Sequence, residues 1–342
     1  MSLTANTSAA PLQVLDTVKS FREWRKKAYE ERKSVGFVAT MGALHEGHLS
    51  LVRRSLTEND LTVLSIFVNP AQFAPSEDLA SYPRTLPEDL RVLKALSVSV
   101  PDSSSPELSV TRTASAVFLP TASEMYPSGI SQDVDVQRGT FVEVKGYGHQ
   151  MEGRSRPTFF RGVATVVTKL FNVIEPTNTY FGQKDIQQAL LLRRLCKDIL
   201  LSHPDPEHLH IVPTARDPSG LALSSRNTYL TSDGRKVAPT LYQALKAADN
   251  AWKNGRTKEE CIEAATKVFE SSKRKAQSEG LDVDMRLDYV ELNDSRTFDV
   301  LDADARNNGI DSDPVILSGA LWVDKTRLID NIILDDKNRI LG

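Results

Sequence analysis

Residues 35–40 (VGFVAT) and 61–68 (LTVLSIFV) are continuous apolar runs, short and rich in β-branched side chains. A run of that length and make-up is a strand covered on both faces, the signature of a parallel sheet packed between helices. Between the two runs, Gly42 permits a tight turn and a helix is expected from about Gly47 into Arg54. Strand, helix and strand in that order predict a right-handed βαβ unit. With 342 residues, 40% of them hydrophobic, the chain can bury one large core or two smaller ones, and its length favours two domains.

The rest of the pattern extends this reading. Val14, Leu15, Val18, Phe21 and Trp24 repeat at helical spacing, so residues 14–33 are expected to form an amphipathic helix. Residues 116–120 resume as a strand. Val163, Val166, Val167, Leu170, Phe171 and Ile174 mark the clearest helix, closed by Pro176. Residues 179–181 end a strand that leads through Gly182-Gln183-Lys184-Asp185 into a helix over 186–200, and Leu209–Val212 is a further strand. After about Pro213 the alternation stops: helices over 237–248 and 257–278 precede strands at 289–292 and 317–323. Helices followed by strands predict a small α+β domain. The expected architecture is therefore α/β, with a parallel-sheet domain over 1–212 and a second, smaller α+β domain over 213–342. Two segments read as solvated insertions: the Ser/Thr/Pro-rich stretch 98–116 and the acidic stretch 301–314. The latter invites an EF-hand reading and fails it, because neither Asp302 nor Asp304 as first ligand puts the glycine and final Glu in place.

Composition excludes several classes. With 42 Lys plus Arg against 45 Asp plus Glu, the net charge of -3 provides no bulk field for nucleic acid or an anionic membrane. Cys196 and Cys261 are too few for a disulfide scaffold or a four-cysteine zinc site, and favour a reducing compartment. No stretch reaches the ~20 apolar residues of a membrane span, and the first dozen residues lack the basic and apolar regions of a signal. A cytoplasmic protein is expected.

Four places can carry chemistry. Thr40-Met41-Gly42-Ala43-Leu44-His45-Glu46-Gly47-His48 joins a strand end to a helix start, where backbone N–H groups and two imidazoles can face one anion such as a triphosphate. A zinc site is the weaker alternative, since the histidines are three apart at a helix start and no third ligand is evident. Asn69 and Gln72 lie where the strand at 61–68 leaves the sheet, placed to hydrogen-bond a small polar substrate. Gly182-Gln183-Lys184-Asp185, with Gln188 one turn later, puts a lysine point charge at another strand-to-helix junction. Gly220-Leu221-Ala222-Leu223-Ser224-Ser225-Arg226-Asn227 has the hydroxyls and arginine of a mobile phosphate clamp. Each has a plain alternative as a surface turn or helix cap.

Taken in order, ATMGALHEGHLSLVR, SIFVNPAQF, DLASYPRTLPEDL, RPTFFRGVATVVTKLFNVIEPTNTYFGQKDIQQ, GLALSSRNTYL and TRLIDNI resemble the pantothenate synthetase, or pantoate–β-alanine ligase, family. The likeness runs from about Gly36 to about Ile333, interrupted by the two insertions. It implies a Rossmann-like N-terminal domain of the H-x-G-H nucleotidyltransferase group, a C-terminal lid, and a homodimer. The implied activity is ATP-driven condensation of pantoate with β-alanine, giving pantothenate, AMP and diphosphate with a magnesium ion. By the same likeness Met41 to His48, Gly182 to Asp185, Ala215, and Leu223 to Arg226 bind ATP, with His48 as proton donor. His45, Lys184 and Arg226 complete the catalytic set, and Gln72 and Gln188 contact the small substrates. Glu88 and Asp89 match an acidic pair of some relatives, with Asp89 as the metal contact; first-turn acids of a helix after Pro87 are the alternative. The chain departs from the family pattern at Ala39, Gln183, Phe159 and Leu223, none of which removes His45, His48, Lys184 or Arg226. Two other readings stay open: a plain nucleotidyltransferase acting on a phosphate-bearing acceptor, and a silent ATP-binding subunit.

Overall fold

The computed structural model describes residues 11–102, 107–307, 309 and 313–341. The first ten residues, part of the segment searched for a signal, lie outside them, as do 103–106 and most of 308–312 in the two supposed insertions. The described chain divides into two compact units. The first holds residues up to 148, Arg156–Gly182 and Gln188–Val212; the second holds His149–Ser155, Gln183–Gln187 and the chain from Pro213.

In the first unit the strands are β1 (Gln13–Leu15), β2 (Val35–Thr40), β3 (Leu61–Ile66), β4 (Ser97–Pro101), β5 (Ser109–Thr113), β6 (Ala116–Phe118), β7 (Asn178–Gly182) and β8 (Leu209–Val212). Six of them form a parallel sheet in the order β1-β6-β3-β2-β7-β8. The two apolar runs are its adjacent central strands, paired from Val35 opposite Leu61 to Thr40 opposite Ile66. Helix Glu46–Glu58 lays Leu51, Val52 and Leu56 against Val38, Leu64, Val117 and Tyr180. Helix Phe159–Ile174 ends at Glu175, whose backbone is left-handed with φ 46°, just before Pro176. Its Gly162 has a structural reason: a Cβ there would stand 2.2 Å from the Ala71 carbonyl oxygen, so the helix rests directly on the Pro70–Gln72 turn.

Two expectations in this unit need correction. Residues 14–33 are not one helix: Val14 and Leu15 belong to β1, which pairs with β6, and the helix is Val18–Glu30, started by the Thr17 side chain accepting the Ser20 N–H at 3.1 Å. The stretch 98–116 is not a featureless loop either. β4 and β5 pair antiparallel, Ser97 opposite Thr113, and Val98 and Val100 alternate with exposed serines.

The second unit carries β9 (Met285–Asp294), β10 (Val315–Val323) and β11 (Thr326–Leu334) as an antiparallel sheet in the order β11-β10-β9. Helices Thr240–Lys253 and Lys258–Ser278 share a core with it, built on Leu241, Leu245, Trp252, Phe269, Leu317 and Leu321. The latter helix opens with a capping box, Thr257 accepting the Glu260 N–H and Glu260 accepting the Thr257 N–H. The expected helix 237–248 is observed as Thr240–Lys253; Val237 instead closes a separate short helix, Ser232–Val237, and Pro239, which offers no N–H, stands between the two. β11 was not anticipated as a strand.

Candidate active site

The sheet sets the frame. β2 is followed in space by β3 on one side and by β7 on the other, so the strand order reverses between β2 and β7. At such a reversal the loops leaving the carboxyl ends diverge and open a crevice. The Met41 to His48 loop leaves β2 there, the Asn69 to Gln72 turn leaves the neighbouring β3, and Gly182 ends β7.

Within the first loop Gly42 has φ 84° and Ala43 φ 50°, both left-handed. His45 is the N-cap of helix Glu46–Glu58: its Nδ1 accepts the Gly47 N–H at 3.1 Å, and His48 Nδ1 accepts the His45 N–H at 3.4 Å. The rings stand 4.1 Å apart between centroids. This reciprocal cap has a chemical consequence. Each Nδ1 is used as an acceptor, so in a neutral imidazole the proton sits on Nε2, which becomes the outward-acting donor. Five of the loop's backbone N–H groups are engaged within the chain. The Gly42 N–H goes to Thr40 Oγ1 at 3.2 Å, those of Ala43 and Leu44 go to Asp89, and those of His45 and Gly47 go to the rings. Glu46 faces Arg53 in an exposed ion pair.

Gln72 is held from its own turn. Asn69, 1% exposed, donates from Nδ2 to Gln72 Oε1 at 3.0 Å and to the Gly162 carbonyl at 3.2 Å. Asn69 Oδ1 accepts the Tyr126 hydroxyl at 2.6 Å. Burial pushes the Tyr126 hydroxyl above its usual pKa, so it stays a donor, and Lys169 Nζ lies 4.0 Å over its ring. Arg156 donates to the Gln72 carbonyl at 3.1 Å and to Glu77 at 2.5 Å. Gln188 lies in helix Ile186–Asp198. Glu88 is an exposed partner of Arg91, whereas Asp89 is 1% exposed.

The remaining predicted residues fall in the second unit. Gln183, Lys184 and Asp185 form one 3-10 turn, with Lys184 Nζ 3.2 Å from the Asp185 carboxylate. The turn is anchored by Asn331, 2% exposed, whose Nδ2 donates to the carbonyls of Gln183 at 2.8 Å and Lys184 at 2.9 Å. Beside it, Asp330 binds Arg216 at 2.5 and 2.9 Å. Burial raises the Asp330 carboxyl pKa, with the guanidinium pulling the other way. Ala215 and Leu223 are brought together by the Leu223 N–H donating to the Ala215 carbonyl at 3.0 Å. Ser224 accepts the Arg226 N–H at 3.3 Å, and Ser225 is buried.

Sequence reasoning missed Tyr126, Arg156, Arg216, Asp330 and Asn331 as supports. The signal for Asp330 was present, since Thr326, Leu328 and Asp330 share the buried phase of β11 and a carboxylate there demands a partner such as Arg216. Among the described residues no three His, Cys, Asp or Glu side chains gather as a metal site.

A parallel sheet whose order reverses at a histidine-bearing loop defines a Rossmann-like α/β protein of the nucleotide-binding class. The loop sequences narrow the class to one family. This chain belongs to the pantoate–β-alanine ligases: their family model matches residues 13–333. It is 41% identical to the pantoate–β-alanine ligase of Saccharomyces cerevisiae, over 94% of this chain and 100% of that one. The crystal structure of pantothenate synthetase from Thermus thermophilus superposes with a TM-score of 0.73 at 34% identity, covering 94% of this chain and 99% of that one. Pantoate–β-alanine ligase from Francisella tularensis, solved with β,γ-ATP and β-alanine, matches with a TM-score of 0.67 at 30% identity, over 94% and 98% of the two chains.

Proposed function

We propose that this chain condenses pantoate with β-alanine in two steps at the expense of ATP, and that the observation carrying the first step is the pair of Nδ1 acceptor bonds in the His45–His48 cap, which assigns the proton of each neutral ring to Nε2. In the first step a pantoate carboxylate oxygen attacks the α-phosphorus, the bond to the bridging oxygen breaks, and diphosphate leaves. In the second, the neutral amine of β-alanine attacks the acyl carbon of the pantoyl adenylate; the amide forms, AMP leaves, and the amine gives up a proton. Negative charge builds on the α-phosphoryl and departing oxygens, so fixed donors at those atoms lower the barrier most. His45 and His48 donate there without needing a positive charge. Lys184 supplies a point charge at the α-phosphoryl group, and Ser224, Ser225 and Arg226 hold the β and γ groups. Met41 to Leu44, Glu46, Gly47, Gly182, Gln183, Asp185, Ala215 and Leu223 complete the nucleotide contacts. Gln72 and Gln188 hold the small substrates, the former with its carboxamide oriented by Asn69.

The Francisella relative, solved with an ATP species and β-alanine, supports the choice of substrates. Magnesium is proposed only as the companion of the ATP phosphates. We assign 1–212 to ATP and pantoate binding and 213–342 to a lid, in a cytoplasmic homodimer that sedimentation at micromolar concentration checks. Among the described residues no helix is long and apolar enough to cross a membrane.

The test is AMP release by purified protein with ATP, magnesium, pantoate and β-alanine, and with each omitted in turn. The wild type should form AMP and pantothenate in equal amounts, and His48→Ala should be slower by about 10²–10³, the usual loss for one oxyanion donor. AMP release that ignores pantoate and requires a phosphate-bearing acceptor would select the plain nucleotidyltransferase instead. No AMP under any condition would favour the silent subunit.

A further inference from the structure

We infer that Asp89 is a positioning residue for the His45–His48 loop and not a magnesium ligand. Its Oδ1 accepts the Leu44 N–H at 2.8 Å and the Thr85 hydroxyl at 3.1 Å, and its Oδ2 accepts the Ala43 N–H at 3.1 Å. The residue is 1% exposed. On the loop side, a Cβ at Gly42 would lie 3.1 Å from Oδ2. Magnesium demands near-octahedral oxygens at about 2.0–2.1 Å and keeps several waters. A carboxylate closed off from solvent, with three hydrogen-bond donors already on its two oxygens, does not fit that requirement.

It fits another one. Gly42 and Ala43 are successive left-handed residues, and an alanine is disfavoured in that conformation. The loop therefore needs an external hold, and the charge-assisted bonds from two successive amides to one carboxylate supply it. Leu44 directly precedes His45, so fixing its amide fixes the point from which the N-cap and both rings are set. Asp89 is itself fixed. Its N–H donates to the Thr85 carbonyl at 2.9 Å in the first turn of helix Leu86–Ala95, and Thr85 Oγ1 returns to its carboxylate. The carboxylate also occupies the Ala43 and Leu44 amides, which a phosphate would otherwise attract.

Two measurements on Asp89→Asn separate the roles. The amide side chain keeps one acceptor and turns an NH2 toward a backbone N–H. Exchange of the Ala43 and Leu44 amides in the substrate-free protein should quicken at least tenfold. At saturating ATP, kcat should fall at least tenfold while the free magnesium giving half-maximal rate stays within twofold of wild type. Unchanged exchange overturns the inference, as does a tenfold higher magnesium requirement with kcat restored at high magnesium. If Asp89→Asn does not fold, Thr85→Ala decides: it removes one bond to Oδ1 and should raise Leu44 exchange about threefold, and no change counts against the positioning role. The kinetic half rests on the ligase reading and the exchange half does not. A wild type that forms no AMP thus defeats that reading and leaves exchange to judge Asp89.

Discussion

Two imidazoles that cap their own helix take their hydrogen bonds from the backbone, whereas a third histidine, on β8, is held by side chains. His210 Nε2 lies 3.1 Å from Asn178 Oδ1, its Nδ1 lies 3.5 Å from Arg54, and its ring stacks on Tyr180 at 5.2 Å. Burial, and then the Arg54 guanidinium, hold its pKa below 6.5. In the unfolded chain it protonates more readily, so between the two pKa values unfolding takes up a proton. The stability contributed by neutral His210 is complete above about pH 6.5 and is lost as pH falls toward the folded value. The urea midpoint of the wild type should therefore drop between about pH 7.5 and pH 5.5 by more than that of His210→Gln; equal drops would refute the assignment. Residues of this kind were illegible in the sequence. His45 and His48 stand out because their spacing and their place at a strand-to-helix junction carry the signal. His210, Tyr126 and Asn331 act through hydrogen-bond partners 32 to 156 positions away, and only the fold brings those together. The cysteines are also settled by burial, which pushes Cys196 up to about 12 and Cys261 up to about 11, so neither is a ready nucleophile.

Elements were legible where one periodicity ran long enough. The two central strands and the helix Phe159–Ile174 announced themselves by continuous burial and by a 3.6-residue repeat. β1 has three residues, too few to show alternation, and its valine and leucine were absorbed into the helical repeat that follows. β4 hid behind composition: serine content suggested a loop, although Val98 and Val100 alternate as a half-covered strand requires. The contact between helix Phe159–Ile174 and the Pro70–Gln72 turn joins an element to the turn proposed to hold substrate, and it depends on Gly162. Gly162→Ala would force a Cβ onto the Ala71 carbonyl and the Gln72 backbone. The variant should lose about 1–3 kcal/mol of stability, the usual cost of overpacking. Because Asn69 also holds the Gly162 carbonyl, KM for pantoate should rise as well. Unchanged stability and KM would show that the turn yields without effect.

The chain as a whole is two units, and the sequence pattern reached the parallel sheet of one and the α+β character of the other. A near-neutral net charge said nothing of ATP, because in the proposed function a few side chains on particular loops handle its anions. The Gln183–Gln187 segment shows the limit of a reading by position, since it follows β7 directly in the chain yet packs with the unit built from residues 213 onward. The proposed chemistry turns on one bond: a carboxylate oxygen of pantoate must become joined to the α-phosphorus. The most direct measurement uses pantoate labelled with ¹⁸O in its carboxylate and mass analysis of the nucleotide after one turnover. Adenylate formation predicts one ¹⁸O in each AMP and the other in the pantothenate amide. Label in inorganic phosphate with ADP as the nucleotide product, or AMP free of label, would contradict it.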